Sequence, residues 1–239
     1  MPVNYSQISA GLSTTKLQTF KSGLGYTSNA NAVKAYFLLQ DISQHLYTPL
    51  QLVELTLRNS IYEATKSKFT DPIWFDTIPQ QAESIKNVNT ARSKASLEIT
   101  NRPVIPGDIV SRLMLGFWVS MMDPQYRHTA TPNLYIWDTN TRNTVFPNVP
   151  AGTTIAAIAS RIREINRFRN RLFHHEPVWK SNTVNSLDKA INKLKQHHNV
   201  LYETLWWMSP EKHALLHAWG FPGRFYLACD QQRFDRNLW

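Results

Sequence analysis

The chain has one cysteine, Cys229, in 239 residues, so no disulfide can form within it. That excludes a disulfide-built scaffold and fits a reducing, cytoplasmic setting. Cys229 has no partner motif and reads as a small buried apolar residue. No run of about 18 apolar residues occurs, so no segment reads as membrane-spanning. Met1 to Phe20 lacks a basic start followed by an apolar run, so this stretch does not read as a signal peptide. Acidic residues are also scarce: 17 Asp and Glu stand against 26 Lys and Arg. No carboxylate cluster of the kind a Mg²⁺ nuclease needs is visible, and no metal or other cofactor is called for.

The charge excess is what remains. The formal net charge is +9 and the pI about 9.7, a balance that favours polyanionic partners, nucleic acid before an anionic membrane. A membrane role finds no basic amphipathic anchor or lipidation motif to support it. Hydrophobic residues make up 42% and charged residues 18%, which suits a folded domain with a real core.

The periodicity turns helical from Asn29, and no strand-period run of useful length appears outside 134–146. Residues 1–28 read as a partly ordered lead-in with one short helix near Ser13 to Ser22, and 29–239 as one helical domain. Ala35, Leu38, Leu39 and Ile42 share a stripe. Thr48-Pro49 reads as an N-cap and first helical position, followed by Leu50, Val53, Leu57, Ile61 and Ala64 to near Phe69. A polar, largely exposed helix follows over about 79–97, then a buried helix over Ile109 to Met121 capped by Asp108. Residues 123–152 hold four prolines and read as a long irregular loop, anchored by Tyr135-Ile136-Trp137. Thr153-Thr154 opens a helix with Ile155, Ile158, Ile162 and Ile165 inward, ended by Pro177. Another runs from about Asn185 to Trp207, and Ser209-Pro210-Glu211 starts a last one closed by Gly220. The predicted fold is all-α, a single-domain irregular helical bundle.

Five arginines (161, 163, 167, 169, 171) crowd the C-terminal half of the helix that Thr153-Thr154 opens, against one Glu164, and lead directly into His174-His175-Glu176-Pro177. Helix-dipole and propensity effects favour basic residues there, but account for two or three of them. Asn170 and His174 are i,i+4 and stack on one face, with the long Arg169 side chain in reach of the same volume. RNA cleavage by internal transfer needs groups of this type. An imidazole moves protons near neutral pH, and a guanidinium grips the phosphate and neutralises the phosphorane. Asn170 either orients His174 or caps the helix end. His175 is either a substrate contact or structural. Arg58 either pairs with Glu54 on its helix or reaches the cleft with Asn59 to hold RNA. Glu176 either orients a histidine or serves the turn. His213 and His217 have a metal-compatible spacing but no third ligand nearby in sequence, and read as structural. His197-His198 read as solvated helix residues. The aromatic tail with Arg224, Arg233 and Arg236 either stacks on RNA or packs.

The segment from Arg169 to Trp179 resembles the Arg-polar-x3-His signature, often followed by His-Glu-Pro, of the Abi-like (abortive infection) proteins of the HEPN superfamily. Leu55-Thr56-Leu57-Arg58-Asn59-Ser60-Ile61 and Gly107-Asp108-Ile109-Val110, leading to Leu115-Gly116-Phe117-Trp118, resemble that family in the same order. The resemblance covers roughly residues 30–220. It implies a HEPN-type helical fold and a homodimer that brings two such motifs together. It also implies a metal-independent RNA endonuclease leaving 2′,3′-cyclic phosphate and 5′-OH ends. The role implied is phage defence or that of a toxin restrained by an antitoxin, small RNA or protein. Arg169, Asn170 and His174 become the catalytic candidates, with Arg58, Asn59, Arg167, Arg171 and His175 as substrate-binding candidates. The alternative is a non-cleaving HEPN module that binds RNA or a nucleotidyltransferase partner.

Overall fold

The computed structural model describes residues 5–78, 80–127 and 135–235. Among these residues every regular element is helical and no strand occurs, so the all-α expectation holds. Contacts divide the chain into two compact units. One comprises Met1–Leu50, Phe168–Tyr202 and His213–Trp239; the other comprises Gln51–Arg167 and Glu203–Lys212.

The first unit begins with α1 (Tyr5–Gly11), α2 (Thr14–Leu24) and α3 (Asn29–Gln44). Its helix starts are set by side-chain caps. The Ser13 and Ser28 hydroxyls accept the backbone N–H groups of Lys16 and Asn31, satisfying donors the first turn leaves open. The lead-in is part of the core rather than a loose preface. Leu17, Phe20 and Leu24 are buried, and Phe20 packs edge-on against Tyr36 and Trp179, with ring centroids 5.4 and 5.2 Å apart. Gly23 makes this possible: a Cβ there would lie 2.9 Å from Trp179 Cη2.

The second unit is threaded by most of α4 (Tyr47–Phe69), whose Val53, Leu57 and Ile61 are fully buried. The helix starts at Tyr47 rather than after Thr48, because the Leu50 N–H already reaches the Leu46 carbonyl. Pro49 thus sits within the first turn, where its missing N–H costs nothing. After the short α5 (Trp74–Thr77) comes α6 (Ala82–Glu98), the polar helix, which buries only Ser84, Val88, Ala91 and Ala95.

Where a single helix is expected over 109–121, two short ones form, α7 (Pro106–Arg112) and α8 (Leu115–Ser120). Leu113 and Met114 between them are extended, which lets Leu113, Leu115, Phe117 and Trp118 all be buried. Asp108 acts from inside α7: its carboxylate accepts the Ile105 N–H and pairs with Arg102 at 2.7 Å.

The 123–152 segment is more regular than a loop. A 3-10 turn (Pro124–Tyr126) and α9 (Thr139–Val145), capped by Asp138, lie within it. The expected anchor is present: Ile136 and Trp137 are buried, and the Trp137 indole donates to the Met121 carbonyl at 2.7 Å. The part of this segment at 128–134 lies outside the described residues.

The remaining helices are α10 (Ile155–Phe173), α11 (Leu187–Met208), α12 (Pro210–Ala218), α13 (Phe221–Ala228) and α14 (Gln232–Asp235). Thr154, Ser186 and Ser209 accept the N–H groups of Ala157, Lys189 and Lys212 at three of these starts. Gly220 closes α12 in the left-handed region at φ 69°, with its N–H on the His217 carbonyl. Cys229 is buried and free, its thiol pushed up to about 11 by desolvation, so it is inert packing.

Candidate functional site: the C-terminal end of α10

Helix α10 does not run to Pro177. It stops at Phe173 in a Schellman arrangement: the Glu176 N–H bonds the Arg171 carbonyl at 2.8 Å and the His175 N–H bonds the Leu172 carbonyl at 3.2 Å. This geometry needs a left-handed residue after the cap. His175 occupies that place at φ 56°, where glycine is the usual resident. His174 is therefore the capping residue, and His175 has left the helix.

The loop that follows is held from two sides. Arg171 donates to the Lys180 carbonyl at 3.0 Å and to the Pro177 carbonyl, and stands 3.6 Å from the Glu176 carboxylate. Val178 and Trp179 are buried, and Trp179 packs on Phe20. Arg171 is thus a clamp within the chain rather than a group offered to a ligand. Held in this frame, Asn170, Phe173, His174 and His175 are exposed.

The other arginines divide in the same way. Arg161 pairs with Glu203 at 2.7 Å and lies over the Trp207 ring, and Arg163 pairs with Asp123 at 2.5 Å. Arg167 is exposed. The Arg169 guanidinium sits 4.3 Å above the Phe173 ring, and its Nη1 approaches Asn170 Oδ1 at 3.5 Å.

These contacts follow from the helix. The i,i+4 neighbour of Arg169 is Phe173, and that of Asn170 is His174. Arg169 and His174, five residues apart, leave the axis about 140° from one another. The backbone joins Asn170 to His174 through the His174 N–H at 3.0 Å, while the Asn170 amide oxygen serves Arg169.

Arg58 and Asn59 belong to the second unit. Arg58 donates from Nη1 to the Ser111 carbonyl at 3.3 Å and from Nε to Asn59 Oδ1 at 3.2 Å. Asn59 also lines a polar groove of about 740 Å³ with Glu63, Ser67, Lys68, Asp138 and Thr141. The Lys68–Asp138 ion pair, 2.7 Å long, crosses between α4 and α9 there. Nothing local in the sequence marks this groove, since its two walls lie some 70 residues apart.

The histidines of α11 are not solvated. Both are buried: His197 stacks on Phe168, while His198 stacks between Tyr202 and Phe225. Burial lowers the pKa of each, that of His197 to about 4. His213 and His217 lie with ring centroids 4.6 Å apart, both against Tyr202. Among the described residues no group of three or more His, Cys, Asp or Glu is placed to hold a metal ion. Arg224 stacks on Phe221; the side chains of Arg233 and Arg236 lie outside the described residues.

No protein-family model, curated protein or solved structure matches the chain. No helix among the described residues is long and apolar enough to cross a membrane.

Proposed function

We propose that the chain is a metal-independent RNA endonuclease of the Abi-like HEPN type, cleaving by 2′-OH attack at the end of α10. The observation that carries this reading is the exposure of His174 at the capped end of α10, the same helix end whose last turn carries the Arg169 cation on Phe173. An exposed imidazole exchanges protons with the 2′-OH and the 5′-oxygen leaving group, and a guanidinium neutralises the phosphorane between them. The net charge of +9 supports a polyanionic substrate.

The divergence of Arg169 and His174 around the helix favours a site completed by a second copy. Helix geometry in one chain does not direct both groups at one phosphate, whereas two facing helix ends supply a cation and an imidazole from different chains. Asn170 and the exposed Arg167 then flank the substrate. Arg171 drops from the substrate-binding set to the scaffold. The biological setting that goes with this activity is phage defence, or a toxin restrained by an antitoxin, in the cytoplasm.

The test is incubation of purified protein with total RNA in EDTA, beside His174→Ala and Arg169→Ala. Wild type is expected to generate 5′-OH ends, and each variant to lose roughly 10²- to 10⁴-fold in rate. No cleavage by any of them, or equal cleavage by all, sinks the assignment. Tight RNA binding without cleavage by wild type would point instead to the non-cleaving module.

A further inference from the structure

We propose that Tyr47 and Phe173 form a stacking platform for one unpaired nucleobase beside the Arg169 cation, so that this site takes single-stranded RNA. The inference rests on the reading of the α10 end as an RNA site.

Both rings are unusually open for aromatic side chains: Phe173 is 45% exposed and Tyr47 is 37% exposed. They are nonetheless fixed. Their centroids lie 5.5 Å apart at 68°, and the Tyr47 hydroxyl donates to the Leu172 carbonyl at 3.5 Å. On Phe173 the Arg169 guanidinium already rests 4.3 Å from the ring centre. Two partly exposed rings set edge-to-face, one bracing the other, with a cation against one of them match what recognises a base attached to a phosphate: a ring for stacking and a charge for the backbone. Arg169 rests on Phe173, so a base on this platform belongs to a nucleotide whose phosphate lies beside that cation. A base within a duplex has both faces covered by its neighbours and cannot stack there, which selects loops, bulges and single strands.

The probe is a 2′-O-methyl RNA oligonucleotide, which lacks the attacking hydroxyl, so binding is read independently of cleavage. Fluorescence anisotropy compares the labelled single strand with its duplex for wild type, Phe173→Leu, Tyr47→Leu, Tyr47→Phe and His174→Ala. Thermal melting confirms that each variant is folded. Loss of a stacked base is expected to weaken single-strand binding roughly 5- to 140-fold in Phe173→Leu and Tyr47→Leu. Duplex binding stays weak and unchanged, and Tyr47→Phe retains most of the affinity. Wild-type affinity in both leucine variants, or equal binding of duplex and single strand, overturns the platform. Unchanged RNA binding with loss of self-association in the leucine variants also overturns it, assigning the face to contact between two copies of the chain. His174→Ala separates the two ideas. If it binds normally without cutting while Phe173→Leu also binds normally, the platform fails and the nuclease stands. If no protein cuts RNA but Phe173→Leu still loses the single strand, the nuclease fails and the platform stands.

Discussion

Phe168 and His197 lie face to face, their ring centroids 4.4 Å apart and their planes 26° from parallel. The contact ties the last turns of α10 to α11, less than two helical turns before the exposed His174. It also places an ionisable ring where water is excluded.

Stability is therefore expected to fall in mild acid. Burial, foremost, with Lys193 and Arg171 nearby, holds His197 at about 4, against the weaker opposing effect of a hydrogen bond to the Val178 backbone. Above pH 6.5 the ring is neutral folded or unfolded and costs nothing. Between about 6.5 and 4 the unfolded chain takes up a proton that the folded one refuses, so stability drops as pH falls. For His197 alone the loss is on the order of 3 kcal/mol at the acid end, and the lowered pKa of His198 adds in the same direction. Urea unfolding from pH 7.5 to 4 measures it. His197→Phe keeps a stacked ring without the proton and is expected to flatten the slope; an unchanged slope would contradict the assignment.

Arg171 gives a second expectation. Its guanidinium spans the carbonyls of Pro177 and Lys180, which a single ammonium does not match. Arg171→Lys and Arg171→Met are both expected to lose about 1–2 kcal/mol, lowering Tm by roughly 2–8 °C. If lysine fully restores stability, the fork geometry is not what holds the loop.

His175 gives a third. At φ 56° it carries a side chain where glycine is at ease. His175→Gly is expected to gain about 1 kcal/mol, whereas His175→Ala, equally strained, gains nothing. Denaturant midpoints of the two variants decide it, and equal midpoints would argue against the left-handed cap.

Helix positions and starts were largely legible, because Ser13, Thr154 and Ser209 announce them and the apolar stripes follow. The break at Leu113–Met114 was not. That segment is apolar nearly throughout, so a continuous buried helix and two short ones carry the same pattern. The burial of His197 and His198 was hidden for a related reason: their partners Phe168 and Phe225 come from other helices. At the candidate site, local sequence carried Arg169, Asn170 and His174, but not the exposed Phe173 ring between them. It did not carry Tyr47, which meets Phe173 only through the fold, nor the clamp of Arg171, whose charge alone reads as a hand held out to a ligand. The Schellman ending also lay beneath notice, because histidine stands where glycine would have signalled it.

The three-part make-up of the first unit bears on how the protein is born. Phe20 and Gly23 leave the ribosome early, but Trp179, which they are shaped to receive, follows after roughly 150 residues. At about 5–20 residues per second the wait is roughly 8–30 s. During that interval the earliest helices carry an unfilled apolar socket, and the Arg169–His174 helix end has no frame. The candidate site thus takes shape only after the Trp179 segment has followed Phe20 and Gly23 out of the ribosome.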